Sequence, residues 1–156
     1  FSLKGQFPTL LEKALKKTSG YRTTYSNLRV KPDQSKRLPV AFLVSWDPVV
    51  AACRDSHLGK IIEDAGGVNA FGHIGRSYAV LSMEALIEAS PGLIVIMKEN
   101  GKKGGDSLET VQVEKYIPGA TVRTIGTENA PYITPYDYIE TLRYMKLVIR
   151  GKRSAL

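Results

Sequence analysis

Residues 39–46, PVAFLVSW, form a continuous apolar run with the length and composition of a strand buried on both faces. Residues 93–97, LIVIM, repeat this pattern, and residues 121–125, TVRTI, give a third strand pattern. Amphipathic helical patterns stand between and after these strands. This alternation predicts an α/β fold: a three-layer α/β/α sandwich with a mainly parallel sheet and right-handed crossovers.

Each helical pattern places apolar side chains three or four residues apart, on the face that should meet the sheet. These side chains are Leu58, Ile61, Ile62 and Ala65, then Met83, Leu86 and Ile87, and finally Ile139, Leu142, Met145 and Ile149. Gly66 is expected to end the first helix in a left-handed conformation, and Ser82 to cap the second. Asp106 and Glu109 predict a capping box for a further helix. The last helix should end at Gly151.

The chain before the first strand predicts one long helix over residues 9–28, followed by a polar linker that contains Pro32. Two further segments, 47–56 and 66–78, are expected to be loops. With 156 residues, 43% of them hydrophobic, the sequence can bury one core. A single globular domain is therefore predicted.

The formal net charge of +7 raises the question of nucleic acid, an anionic ligand or an acidic partner. The basic residues of the first quarter alternate with apolar positions at helical spacing, and neither an aromatic RNA-binding strand nor zinc-finger spacing occurs. We therefore expect a solvated basic helix face and no nucleic-acid partner.

Cys53 is the single cysteine, so no disulfide can form within this sequence. The apolar stretch before it imitates a lipoprotein signal, but Asp47 and Pro48 interrupt that stretch. We therefore expect a buried thiol and not an acylated cysteine. No apolar run approaches the roughly 18 to 20 residues that cross a bilayer.

Ligands of such sheets bind at the carboxyl ends of the strands, where loops and helix amino termini converge. Trp46, Glu99 and Tyr132 are candidate ligand-binding residues because they stand at or just after these strand ends. Trp46 and Tyr132 could offer flat apolar contact to a macrocycle or an aromatic chelator, although Trp46 could equally pack in the core.

The loop 71–78, FGHIGRSY, would supply further ligand contacts if it crosses the sheet edge into the same region. Arg76 could clamp a carboxylate or phosphate with its planar guanidinium, the alternative being a surface salt bridge. His73 and Tyr78 are additional candidates, although a lone histidine in a loop is usually just solvated.

Catalytic patterns are sparse. The sequence has two histidines and contains no Cys-x-x-Cys, His-Glu-x-x-His, Gly-x-Ser-x-Gly or phosphate-loop pattern. We therefore predict that the protein is not an enzyme and that it has no catalytic residues, no resident cofactor and no metal site of its own.

Three runs carry a family resemblance: residues 58–69, LGKIIEDAGGVN; residues 80–86, VLSMEAL; and residues 89–96, ASPGLIVI. Together they closely resemble the carboxy-terminal lobe of class III (cluster A-III) periplasmic binding proteins, which serve ABC importers of iron-siderophores, haem and cobalamin. In that family, a helix ending in Ala-Gly-Gly-x-Asn precedes a ligand-facing loop, a Ser-x-Glu helix and an Asp-Pro-Asp-like turn. Here Ser-Pro-Gly at 90–92 departs from that turn, at little cost because the turn needs only the proline geometry.

The resemblance implies that residues 1–31 are a spine helix and linker between two lobes, and that residues 32–156 are the carboxy-terminal lobe. It implies that a metal chelate, which is an iron-siderophore, haem or a corrinoid, is held between the lobes and delivered to ABC permease subunits. By the family's pattern, Glu84 is the carboxylate that docks on the permease.

The resemblance also implies a location in the periplasm or on the extracellular face of the cell membrane. The membrane would be reached only through the permease or through an upstream lipid anchor. One lobe alone would leave part of the spine helix uncovered, so a homodimer of this chain is expected to be possible.

Three other classes of function compete with this interpretation. A small α/β enzyme would need an acid and base pair at the strand ends, which the sequence does not provide. A receptor for bare zinc or manganese would need several converging His and carboxylate ligands. A ligand-sensing module outside transport would have the same sequence features.

Overall fold

The computed structural model describes residues 7–29, 37–98, 108–126 and 135–154, and the side chains of residues 16–29, 37–97, 111–125 and 138–151. Its helices are α1 (Phe7–Leu28), α2 (His57–Asp64), α3 (Met83–Ala89), α4 (Leu108–Tyr116) and α5 (Pro135–Ser154). Its strands are β1 (Pro39–Trp46), β2 (Val49–Ala52), β3 (Val68–Asn69), β4 (Tyr78–Leu81), β5 (Leu93–Lys98) and β6 (Thr121–Gly126).

These strands form one sheet in the order β4-β2-β1-β5-β6, and the short β3 pairs with the start of β1. β1 is parallel to β5, and β5 is parallel to β6. β2 is antiparallel to both β1 and β4. The three strands predicted from the sequence are β1, β5 and β6, and the predicted α/β class is confirmed.

β2 and β3 lie inside the segments that the sequence predicts to be loops, and β4 begins at the last residue of the second segment. β2 has four residues, β3 has two and β4 has four, which is too short for a period-two pattern to stand out. These strands form because a turn at residues 47–48 folds the chain back onto β1, so that β2 offers a free edge to β4.

Apolar side chains are buried on both faces of the sheet. On one face, Val40, Phe42 and Val95 pack in a cluster with side chains of α2 and α5. On the other face, Leu43 and Ile94 pack with side chains of α3 and α4. Because alternate residues of a strand point to opposite faces, burial of both faces explains why β1 is apolar throughout.

The predicted core faces of α2 and α5 are confirmed, since none of their eight named apolar residues is more than 6% exposed. In α3, Leu86 is fully buried and Met83 packs against the same cluster. Ile87 is 38% exposed, so the prediction that it faces the core is wrong. The side chain after Leu86 is rotated by about 100° around the helix, and α3 is too short to bury a wider stripe.

Side-chain caps fix the starts of two helices. The Ser56 hydroxyl accepts from the Gly59 N–H at 2.9 Å, and the predicted Ser82 cap accepts from the Ala85 N–H at 3.2 Å. Gly66, with a φ of 93°, follows α2 in the left-handed conformation that was expected. Asp106 and the side chain of Glu109 lie outside the described parts, and so does the linker with Pro32.

α1 is a single helix, as predicted, and its last turn is tied to the lobe through Asp64, which is 3% exposed. The Tyr25 and Tyr138 hydroxyls donate to Asp64 Oδ2 at 2.8 and 2.7 Å. Arg29 Nε and Lys60 Nζ lie 3.4 Å from its carboxylate oxygens. This Asp64 cluster joins α1, α2 and α5.

The hydroxyl proton of Tyr138 is held firmly in this cluster. Burial and the hydrogen bond to Asp64 raise the pKa of Tyr138 far above its usual range, so Tyr138 remains a donor at any physiological pH.

α5 extends three residues past its predicted end at Gly151 and stops at Ser154. Among the described helices, none combines the length and the hydropathy that a bilayer crossing requires.

Candidate functional site

Trp46 ends β1, and a β-bulge decides where its side chain points. Leu43 pairs with Ala51 and Ser45 pairs with Val50, so β1 contains one extra residue between the two pairs. Because side chains alternate along a strand, the extra residue reverses the faces that follow it. Trp46 therefore packs in the same cluster as Leu43, on the face covered by α3 and α4.

The indole of Trp46 is half-buried, and its Nε1–H donates to Gln112 Oε1 on α4 at 3.1 Å. The hydrogen bond to Gln112 and the packing in the cluster show that part of the Trp46 ring lies in the core. Core packing was one of the two alternatives for this residue. The rest of the ring is accessible at the carboxyl end of the sheet, so ligand contact by Trp46 stays a prediction.

Asn69 builds the base of the loop over residues 70–77. Its Nδ2 donates to the Ala52 carbonyl at 3.1 Å, and its Oδ1 accepts from the Phe71 N–H at 3.0 Å. The Asn69 N–H donates to Glu63 Oε1 at 3.2 Å. The asparagine of the Gly-Gly-Val-Asn run therefore joins α2, β2 and the loop.

The second half of this loop runs beside the residues that follow β2. The N–H groups of Cys53, Arg54 and Asp55 donate to the carbonyls of Ser77, Ile74 and Arg76 at 2.9, 3.2 and 3.0 Å respectively. These bonds extend the β2–β4 pairing beyond the strands and hold the loop against the sheet edge.

The three loop candidates, His73, Arg76 and Tyr78, are all exposed. The centroids of the His73 ring and of the buried Phe71 ring lie 6.4 Å apart. Partial burial of Tyr78 raises the pKa of its hydroxyl, which therefore stays protonated and can donate to a ligand.

The structure separates the site residues into two groups. Trp46 pairs with Val49, which pairs with Leu81, whereas Tyr78 pairs with Ala52 at the other end of the β2–β4 ladder. Val49 and Ala52 are three positions apart, about 10 Å along a strand. The loop candidates therefore stand apart from Trp46. Glu99 and Tyr132 lie outside the described residues.

Arg54 is a surface residue near the loop candidates that the sequence analysis missed. Its side chain is 61% exposed, and its Nε lies 3.3 Å from Asp55 Oδ1. A Cβ atom at Gly75 would lie 2.5 Å from Arg54 Nη2, so the guanidinium lies directly against the loop. Nothing in the sequence marks this contact, because it joins residues about twenty positions apart.

Cys53 is buried, as predicted, and carries a free thiol. Burial raises the pKa of this thiol, and a hydrogen bond with the Ala79 backbone and the charge of Arg76 partly offset that effect. Within the described residues, no three His, Cys, Asp or Glu side chains converge as a set of metal ligands.

Glu84 is exposed in the first turn of α3, directly after the Ser82 cap. A carboxylate at this position is favoured by the helix dipole. The same position leaves the carboxylate free to contact another molecule.

A groove of about 540 Å³ lies elsewhere, between α1, α2 and α5. Leu28, Ala65, Leu147 and Ile149 form its apolar wall, and basic side chains of α5 stand around it. Of the predicted site residues that the structure describes, none lines this groove.

The fold is an α/β sandwich in which helices cover both faces of the sheet. The family model of the periplasmic binding proteins matches residues 5–113, most of the chain. The chain therefore belongs to the periplasmic binding protein family.

Solved structures share its fold. The periplasmic vitamin B12 binding protein BtuF of Vibrio cholerae is 16% identical, with a TM-score of 0.72 over 91% of this chain and 55% of that chain. The periplasmic heme binding protein HutB of Vibrio cholerae is 20% identical, with a TM-score of 0.72 over 92% of this chain and 58% of that one.

An ABC-type Fe3+-hydroxamate transport system protein from Saccharomonospora viridis is 16% identical, with a TM-score of 0.60 over 86% of this chain and 48% of that one. The chain thus spans about half the length of these structures. A search of curated proteins gives no match.

Proposed function

We propose that this chain is the carboxy-terminal lobe, with its spine helix, of a substrate-binding protein that serves an ABC importer. The ligand is a metal chelate: an iron-siderophore, haem or a corrinoid. The observation that carries the proposal is the family match, which covers residues 5–113 and includes the Gly-Gly-Val-Asn run and the Ser-Met-Glu turn.

The solved structures support the ligand class. Their printed names give vitamin B12, heme and Fe3+-hydroxamate, all of which are chelates of a transition metal. The chain contains surfaces suited to part of such a ligand: a half-buried indole at one end of the β2–β4 ladder, and a tyrosine with two arginines at the other. Catalysis is not part of this proposal.

We propose the following domain assignment for a two-lobe site. Residues 1–31 would form the spine and linker, and residues 32–156 the lobe. α1 extends over 22 residues, about 33 Å, and the described contacts that anchor it lie in its last two turns. The rest of α1 would then reach a second lobe, and the ligand would lie between the lobes in the periplasm or on the extracellular face of the cell.

Glu84 is the proposed docking residue for the permease. In a complete binding protein that carries this lobe, Glu84→Arg should abolish chelate import while the Kd for the chelate in solution changes less than about twofold. The reason is that Glu84 is exposed on α3, whereas the ligand candidates lie on loops and strand ends. Uptake of a radiolabelled chelate into cells, paired with titration of the purified protein, measures both quantities.

Glu88→Arg is the matched control, because Glu88 is also exposed on α3, one turn further along. Import should survive this change. Equal loss of import and of binding in Glu84→Arg would place Glu84 in the ligand site or in the fold and would contradict the docking role.

A further inference from the structure

Glu63, in the last turn of α2, joins two segments that are far apart in the sequence. Its Oε2 accepts from Arg37 Nη1 at 2.6 Å, and its Oε1 accepts from the Asn69 N–H at 3.2 Å. Arg37 lies two residues before β1, on the chain between α1 and β1, and Asn69 builds the base of the loop over residues 70–77. One carboxylate therefore connects the entry of β1 with this loop.

The Asn69 N–H needs this acceptor. The N–H groups on either side of it donate to the carbonyls of Leu38 and Val40, both at 2.9 Å. Because successive N–H groups of a strand point to opposite sides, the Asn69 N–H points away from β1. Asn69 is 6% exposed, so without Glu63 a buried donor would lose its partner.

Arg37 holds the Glu63 carboxylate in the orientation that reaches Asn69. The Arg37 side chain is 18% exposed, and in the described part of the chain its buried Nε has no acceptor, so Glu63 is its ion-pair partner there. The Glu63 side chain is 41% exposed. Without Arg37, the carboxylate could therefore rotate toward solvent, and the longer bond, the one to Asn69, would be lost.

The position of Asn69 sets the start of the loop. Its Oδ1 accepts from the Phe71 N–H and its carbonyl accepts from the Gly72 N–H, both at 3.0 Å. The three loop candidates for ligand binding begin at the next residue. A shift of Asn69 therefore moves the segment that carries the proposed ligand contacts.

We infer that Arg37 and Glu63 are positioning residues for ligand binding. They set the affinity for the chelate by holding the loop over residues 70–77 through Asn69, and not by contact with the ligand. The inference rests on the proposed function and adds two residues to it.

A double-variant cycle tests this inference. Arg37→Met keeps the stem of the side chain and removes its charge, and Glu63→Ala removes both bonds. Haemin, cyanocobalamin and ferrichrome are titrated into the chain and followed through Trp46 fluorescence. For each chelate that the unmodified chain binds, either variant should raise the Kd about three- to tenfold, the effect of one lost hydrogen bond.

The double variant should have the same Kd as Glu63→Ala alone, because Arg37 acts through Glu63. Arg37→Lys should restore most of the affinity that Arg37→Met loses, since an ammonium group can donate the single bond that Glu63 Oε2 accepts. A role in stability alone would produce neither result.

Amide hydrogen exchange measures the loop directly, without a ligand. In Arg37→Met and in Glu63→Ala, the N–H groups of Asn69 and Phe71 should exchange several-fold faster, relative to those of β5, than in the unmodified chain.

Asp64→Ala is the matched control, because it removes the neighbouring carboxylate of α2. The described contacts of Asp64 are with α1, α2 and α5, and none is with the loop. This variant should leave both the chelate Kd and the relative exchange of Asn69 and Phe71 unchanged.

Additive effects of the two changes on the Kd, or unchanged exchange at Asn69 and Phe71, would overturn the inference while the proposed function stands. An equal loss of affinity in Asp64→Ala would overturn it too. If the unmodified chain binds none of the three chelates, the proposed function is contradicted, and the exchange rates still decide whether Arg37 and Glu63 hold the loop. Circular dichroism verifies each fold, and Glu63→Gln takes the place of Glu63→Ala in the cycle if the latter is unfolded.

Discussion

At the scale of single residues, Gly59 shows how packing can reverse an intrinsic preference. It lies in α2, where replacing an exposed glycine by alanine would normally stabilise a helix by about 0.5–1 kcal/mol. Here a Cβ atom would collide with the Cys53 carbonyl oxygen and would lie 2.9 Å from Asn69 Nδ2. Gly59→Ala should therefore lower the free energy of unfolding by about 1–3 kcal/mol, which urea denaturation measures.

Gly20→Ala is the matched control, because Gly20 also lies within a helix but has nothing within 4 Å of its added Cβ. This change should raise the free energy of unfolding by about 0.5–1 kcal/mol, the usual effect of replacing glycine by alanine in a helix. If both variants shift the urea midpoint in the same direction, the close approach at Gly59 is not what limits that position.

At the scale of elements, the Asp64 cluster decides how α1 is attached. Asp64→Ala would leave the Tyr25 and Tyr138 hydroxyls without their acceptor in a buried place. Loss of two hydrogen bonds to a charged group predicts a cost of about 2–4 kcal/mol in unfolding free energy. In the Asp64→Ala variant, amide hydrogens in the last turns of α1 should also exchange faster than those in β1 and β5.

Glu140→Ala provides the comparison for this cost. Glu140 Oε1 lies 3.8 Å from Arg143 Nε, and both side chains are about half exposed. Its loss should change stability by less than about 0.5 kcal/mol. A cost for Asp64→Ala as small as that for Glu140→Ala would show that water replaces the carboxylate and that the cluster does not hold α1.

Elements with a strong local pattern could be predicted from the sequence, and elements set by distant contacts could not. β1 and β5 are apolar throughout because both of their faces are covered, and α2 and α5 present clear apolar stripes. β2 and β4 depend on a bulge and on each other's free edges, which no local pattern encodes.

The same distinction applies to the candidate site. Arg76 and Tyr78 can be predicted as candidates because they stand in the loop 71–78, which follows a helical pattern and leads to the sheet edge. Arg54 was missed because its position depends on Gly75, across the chain reversal. The Asp64 cluster was missed for the same reason, since its tyrosines lie 39 and 74 positions away in the sequence.

At the scale of the whole molecule, the proposed site is divided between two lobes, and this chain supplies one of them. The chain spans 55% of the BtuF chain and 58% of the HutB chain. Each lobe would contribute roughly half of the ligand contacts.

The homodimer predicted from the sequence would place two copies of the same half together. Sedimentation at several concentrations distinguishes this homodimer from a monomer.

The affinity of this chain for a chelate follows from the division of the proposed site between two lobes. A complete site with a Kd of about 1 nM corresponds to about −12 kcal/mol, so half of the contacts would leave about −6 kcal/mol, a Kd in the tens of micromolar. Contacts are not additive, and a preformed surface could shift this value by about tenfold in either direction. Trp46, the single tryptophan, reports binding through its fluorescence, and free tryptophan amide corrects for absorption by the chelate. Nanomolar binding by the monomeric chain would mean that residues 1–156 contain a complete pocket, and the two-lobe description of the site would then be wrong.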